Sequence, residues 1–64
     1  MNDWHKNITL EAEKLKSSLD SLEIFIWHDP MFTTLTPKHR KLLQLQHTVM
    51  SQYLEILHKR LINE

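Results

Sequence analysis

Three polar side chains of different chemistry recur at intervals of seven residues: Gln46, Tyr53 and Arg60. On an α-helix this spacing places them in one line that drifts by about 20° per step, and we call this line the polar ladder. A guanidinium can grip phosphate, a phenol can stack or donate, and an amide can read a base edge. The ladder is therefore a candidate nucleotide-binding site. Spacing alone favours a plainer alternative, in which these residues only hydrogen-bond and snorkel at the flank of a helix bundle.

Aromatic and polar residues cluster where the first of two apolar segments ends. Trp27 and its neighbours could form the walls of a pocket for a planar ligand. More often such rings plug the end of a helical hairpin, and both interpretations stay open. The cluster consists of Phe25, Trp27, His28, Asp29 and Phe32.

A basic run follows at Lys38, His39, Arg40 and Lys41, in the first turn of the second predicted helix. Positive charge at a helix N-terminus opposes the helix dipole. The mismatch hints at anion binding, because basic side chains and backbone N–H groups would converge there on one phosphate. Lys38 and Arg40 therefore join the candidate ligand-binding residues, although an ordinary solvated face is the more common explanation.

Catalytic and metal-binding patterns are missing from the sequence. His47 and His58 share a helix face, but eleven residues separate them by about 16 Å, and no histidine pair has the spacing of a helical zinc site. The chain has no cysteine and no glycine, so thiol nucleophiles, phosphate-cradling loops and nucleophile elbows are excluded. We expect a protein that is not an enzyme and that carries no metal or cofactor.

Charge and hydropathy limit the partners. Eight basic residues balance eight acidic ones, so the chain lacks the positive field that attracts long DNA or RNA. Its longest apolar run, at residues 24–27, is far shorter than the roughly 20 residues of a membrane span. The first residues do not resemble a secretory signal. We expect a soluble, cytoplasmic protein that binds neither long nucleic acid nor a membrane.

Two amphipathic helices must position these side chains. Apolar residues recur at steps of three and four from Trp4 to Ile26, which predicts a helix over about 3–27. Asp29-Pro30 and Thr36-Pro37 are cap-and-proline signals, and they bound a connector at 28–36. The same helical spacing returns over about 37–62. The sequence thus predicts an all-α, two-helix antiparallel hairpin with a short proline-containing connector, as a single domain over residues 1–64.

The second helix carries more apolar surface than one partner helix can cover. A monomer of 64 residues buries only about 60% of the surface that its unfolded chain exposes. We therefore expect a helical-bundle homo-oligomer, a dimer or tetramer, unless the connector folds back over the surplus surface. The predicted interface consists of Leu43, Met50, Leu54, Leu57 and Leu61.

These features together resemble a widespread family of very small phage-encoded helical-hairpin proteins, first catalogued in crAss-like phages. The resemblance covers about residues 8–62. It is carried by a connector of the form Phe-x(n)-Pro-x-Phe-x-x-Leu and a helix of the form Leu-Leu-x-x-Gln-x-x-x-Met-x-x-Tyr. The residues concerned are Leu22, Phe25, Pro30, Phe32, Leu35, Leu42, Leu43, Gln46, Met50, Tyr53, Leu57, Arg60 and Leu61.

The resemblance implies a phage protein acting in the cytoplasm of the bacterial host. By analogy it implies a sponge of the type directed against CBASS or Thoeris signalling, which sequesters a cyclic nucleotide messenger without cleaving it. The polar ladder, Trp27, Lys38 and Arg40 would then line pockets between subunits. This chain departs from the family by carrying neutral or basic residues at His47, His58 and Lys59.

A second function remains open from the sequence. The apolar face of helix two could lie on a host defence protein, which would make the protein an interaction inhibitor or adaptor. A sponge requires the polar ladder, whereas an adaptor of this kind does not.

Overall fold

The computed structural model describes residues 3–62, which form two long helices joined by a short turn. Helix α1 spans Asp3–His28, a 3-10 turn spans Pro30–Thr34, and helix α2 spans Pro37–Ile62. The helices pack side by side and run antiparallel, with Glu11 beside Tyr53 and Glu23 beside His47. The predicted two-helix hairpin is confirmed, and α1 extends one residue beyond the predicted Trp27.

Local hydrogen bonds explain where the connector turns. The carboxylate of Asp29 accepts from the backbone N–H of Met31 at 2.9 Å, and Pro30 occupies the first position of the 3-10 turn. The hydroxyl of Thr36 accepts from the backbone N–H of His39 at 3.2 Å and so caps α2. Both caps predicted from the sequence are therefore formed.

The hairpin core lies along the inner faces of the two helices. Leu57 is completely buried and Leu54 nearly so. They pack in one cluster with Ile8, Ala12 and Leu19 of α1, while Leu15, Met50 and Leu61 cover its edges. At the connector end, the rings of Phe25 and Phe32 meet edge to face with centroids 6.0 Å apart. These two rings plug the end of the hairpin.

The residues predicted to form the oligomer interface lie mainly on this inner face. Leu54 and Leu57 are buried against α1, Met50 and Leu61 pack on the same cluster, and Leu43 is partly buried. Helix α2 has two apolar stripes, and periodicity alone does not say which one faces α1. Within one copy, four of the five therefore belong to the hairpin core or its edges, and a different stripe of α2 remains exposed. Their role in an oligomer interface stays a prediction.

The hairpin is a single layer with an elongated shape. Its principal extents are 48 × 15 × 13 Å and its radius of gyration is 14.6 Å, whereas a compact domain of this length has a radius of gyration of about 11 Å. Neither α1 nor α2, as described, has the length and apolar character needed to cross a membrane.

Candidate ligand-binding site

Tyr53 lies at the centre of the polar ladder and is held by α1. Its hydroxyl donates a hydrogen bond to the Glu11 carboxylate, although the two residues are 42 positions apart. This bond is the main reason that the pKa of Tyr53 lies above its ordinary value of about 10; partial desolvation and the charge of Glu11 act in the same direction, whereas Arg60 acts against them. The phenol is therefore neutral near pH 7, and its hydroxyl proton already has an acceptor.

This contact narrows what Tyr53 can offer a ligand. Because the hydroxyl is engaged with Glu11, the available surface is the ring, which belongs to a side chain that is 40% exposed. An exposed aromatic face can stack on a nucleobase. The second oxygen of the Glu11 carboxylate can accept from an exocyclic amine, so the pair suits a base better than a phosphate.

The other two members of the ladder flank Tyr53 on the exposed side of α2. Arg60 is exposed, and it lies close enough to Tyr53 for its positive charge to lower the pKa of the phenol. Gln46 is exposed, and its amide nitrogen makes a long contact, at 3.7 Å, with the Met50 sulfur. Each step of seven residues advances about 10 Å along the helix. The amide and the guanidinium are thus presented on either side of an aromatic ring.

Trp27 belongs to a different place, an open cleft between the helices near the connector. The cleft has a volume of about 310 Å³ and is lined by Glu23, Trp27, His28 and His47. The His47 Nε2 atom lies 2.8 Å from a Glu23 oxygen, and the indole of Trp27 meets the imidazole of His47 edge to face with centroids 5.2 Å apart. One exposed indole wall beside a carboxylate and an imidazole could hold one edge of a planar ligand.

A second hollow of similar volume, about 310 Å³, lies between the start of α1 and the end of α2. It is lined by Thr9, Ala12, Glu13, Lys16, His58 and Leu61. Both hollows are shallow and near the lower limit of small-molecule sites, about 300 Å³. Neither would enclose a cyclic dinucleotide within one copy.

The basic run lies at the opposite end of α2 from Arg60. Arg40 donates from Nη1 to the backbone carbonyl of Thr33 at 3.2 Å, which ties it to the connector. Lys38 is exposed in the first turn. Since 22 residues separate Lys38 from Arg60, the two cations are about 33 Å apart along the helix. One copy of the chain cannot bring them to the same small ligand.

Sequence reasoning missed Glu11, Glu23 and His47 as members of these sites. Each makes its contact across the hairpin, at a separation of 24 or 42 residues. Helical spacing along one segment carries no signal for such pairs. In the described range of residues 3–62, no group of three or more His, Asp or Glu side chains is arranged to hold a metal ion.

The fold and the exposed ladder define the protein as a small helical hairpin with polar, aromatic and cationic groups displayed along one helix. A family model described as Sequestin matches residues 2–63. The chain therefore belongs to the Sequestin family, whose name denotes a binding role, and the resemblance found in the sequence is confirmed at the level of the family. Comparison with curated proteins and with solved structures gave no match.

Proposed function

We propose that this protein sequesters a cyclic nucleotide messenger of bacterial immunity, without cleaving it, on behalf of a phage. The observation that carries the proposal is the exposed ladder on α2: Tyr53 fixed by Glu11 between an amide and a guanidinium. Membership of the Sequestin family supports a binding role. The chemistry of the ladder supports a nucleotide as the molecule that is bound.

Each group of the ladder has a distinct role in this proposal. The ring of Tyr53 stacks on a base, and Glu11 accepts from an exocyclic amine of that base. Arg60 neutralises a phosphate through charge-assisted hydrogen bonds. Gln46 reads an edge of a second base, about 10 Å from the first along the helix. Stacking and phosphate contacts together give affinity, whereas the two polar edges give preference among bases.

The test is equilibrium binding of a panel of cyclic dinucleotides, cyclic trinucleotides and cyclic ADP-ribose isomers to the wild type, Arg60→Ala and Lys14→Ala. Lys14 is an exposed lysine of α1 outside both hollows, so its substitution removes one positive charge without touching the ladder. We expect Arg60→Ala to lose at least tenfold in affinity, because a hydrogen bond to a charged group contributes about 1.5–3 kcal/mol. Lys14→Ala should bind like the wild type.

The same experiment reports sequestration as opposed to cleavage. Bound nucleotide should be recovered chemically intact when the protein is denatured. Equal affinity in Arg60→Ala and the wild type would refute the ladder as the binding site. Recovery of a hydrolysed product would refute sequestration without cleavage.

A second function is favoured by one specific observation, the apolar residues left exposed on α2. In this alternative the protein is an inhibitor or adaptor that lays that face on a host defence protein. It predicts a stable complex with one host protein and no affinity for any nucleotide of the panel.

A further inference from the structure

The cleft beside Trp27 opens on the opposite face of the hairpin from the polar ladder. Glu23 lies twelve residues after Glu11, which turns it by about 120° around α1. His47 lies six residues before Tyr53, which turns it by about 120° around α2. Because the helices are antiparallel, both turns carry the contact from one face of the hairpin to the other. The cleft is therefore separate from the ladder, and nucleotide binding at the ladder does not use it.

A carboxylate with spare capacity for hydrogen bonds lies in this cleft. The Oε2 atom of Glu23 accepts from Nε2 of His47 at 2.8 Å, and the Glu23 side chain is 50% exposed. An ionised carboxylate has about four sites that accept hydrogen bonds, so Glu23 can accept from a further donor. None of the residues that line the cleft is a lysine or an arginine. The cleft thus favours a ligand that donates hydrogen bonds and carries positive charge.

Trp27 supplies an aromatic wall next to the carboxylate. Glu23 and Trp27 are four positions apart on α1, so they are neighbours on one side of the helix. The indole meets the imidazole of His47 edge to face, with centroids 5.2 Å apart and ring planes at 64°. In this arrangement His47 covers at most one face of the indole, and Trp27 is 60% exposed. An open indole face attracts a cation more strongly than the face of any other aromatic side chain.

We propose that this cleft binds a guanidinium group. A guanidinium is planar, so it can stack on the indole of Trp27 while its N–H fork donates to the Glu23 carboxylate. An ammonium group can approach either partner, but it has no plane with which to stack. The group can belong to a free small molecule or to an arginine side chain of a protein, since the cleft would recognise the same chemistry in both.

His47 holds the carboxylate in place for this ligand. Its side chain is only 20% exposed, and its contact with Glu23 joins α2 to α1 across the hairpin. A carboxylate that is already held loses less conformational freedom on binding than one that rotates freely. Asp20, one turn before Glu23, differs because Lys16 already lies 3.1 Å from its carboxylate. Glu23 is therefore the better placed of these two acidic residues to receive a cation.

The second hollow provides an internal comparison. It has the same volume, about 310 Å³, and it also contains a carboxylate, that of Glu13. Its lining differs in two ways, because it includes Lys16 and, among the residues described there, no tryptophan, tyrosine or phenylalanine. A cation in that hollow would meet a like charge and no aromatic wall. We expect a guanidinium to prefer the cleft beside Trp27.

The site is tested by heteronuclear NMR titration of the full chain with ethylguanidinium, followed through the indole N–H signals. Trp27 reports on the cleft, and Trp4, which is 43% exposed near the start of α1, is the internal reference. Ethylurea, a planar molecule of similar shape without the charge, is the matched ligand. We expect ethylguanidinium to move the Trp27 signal saturably and ethylurea to leave it in place. No shift at Trp27, equal shifts at both tryptophans, or an equal response to ethylurea would overturn the proposal.

Substitutions test the two contacts one at a time. Glu23→Gln keeps the shape of the side chain and removes its charge, and we expect it to weaken binding about fivefold. Trp27→Leu, followed through the backbone amide of His28, should weaken binding about threefold. Glu13→Gln makes the same change as Glu23→Gln in the second hollow and should bind like the wild type. A Glu23→Gln variant with unchanged helix content and unchanged affinity would overturn the site.

A further ligand separates the two sources of the group. In N-acetylarginine N-methylamide the guanidinium is attached to a peptide backbone. Tighter binding of this compound than of ethylguanidinium would point to an arginine of a protein, whereas weaker binding would point to a free small molecule. Arg60→Ala should bind ethylguanidinium like the wild type, because the ladder lies on the other face of the hairpin. Loss of binding in that variant would overturn the separation of the cleft from the ladder.

Discussion

Replacing Leu57 by alanine should be the most damaging conservative change in the hairpin. Leu57 has no exposed surface and lies in the cluster that joins α1 to α2. A buried Leu→Ala substitution costs about 2–5 kcal/mol. Marginal stabilities of about 0.05–0.15 kcal/mol per residue give a domain of 64 residues roughly 3–10 kcal/mol in all. We therefore expect Leu57→Ala to lose about 3 kcal/mol, a large part of the total.

The assay is urea denaturation followed by circular dichroism at 222 nm, with Leu45→Ala as the matched control. The side chain of Leu45 is 57% exposed, so the same substitution should cost roughly 1 kcal/mol or less in the monomer, given about 1.5–3 kcal/mol for a fully buried leucine. Equal losses for the two variants would refute the assignment of Leu57 to the core and Leu45 to the exposed face of α2.

Two further predictions concern the Tyr53 contact and the cap of α2. Tyr53 is the only tyrosine, so its ionisation can be followed by absorbance at 295 nm. The midpoint of this titration should lie above pH 10 in the wild type. It should move down in Glu11→Gln, because the carboxylate that raises the pKa of Tyr53 is gone. The folded pKa is the raised one, so this contact stabilises the hairpin fully below pH 10, and the contribution disappears as the pH rises through the folded pKa. An unchanged midpoint in Glu11→Gln would contradict the contact. Thr36→Ala should lower the free energy of unfolding by about 1 kcal/mol, because it removes the N-cap of α2. The control Thr48→Ala, in the exposed middle of α2, should be neutral or stabilising because alanine is the better helix former. If urea denaturation showed that Thr48→Ala is the more destabilising of the two, the cap would be contradicted.

The sequence was sufficient for every feature that local interactions decide. Steps of three and four residues in α1 and proline beside Asp29 and Thr36 determine the helices and their ends, because caps and periodicity act over a few residues. The plug formed by Phe25 and Phe32 was one of two interpretations left open.

The sequence was not sufficient for the choice between the two stripes of α2. Leu54 and Leu57 differ from Leu45 and Ile56 only in direction, and all four are equally apolar. The stripe that becomes buried is the one whose side chains pack well against the inner face of α1, and this packing involves residues far apart in the sequence. The contact between Glu11 and Tyr53 could not be predicted for the same reason, since no local pattern in either helix indicates which residue lies opposite in the other helix.

Native mass spectrometry of the wild-type protein with the panel of cyclic nucleotides and cyclic ADP-ribose isomers would show sequestration in a single experiment, because one spectrum reports assembly and ligand together. We expect an oligomer that gains discrete masses of an intact nucleotide. A protein that gains no nucleotide mass from any member of the panel would contradict the sequestration of a cyclic nucleotide.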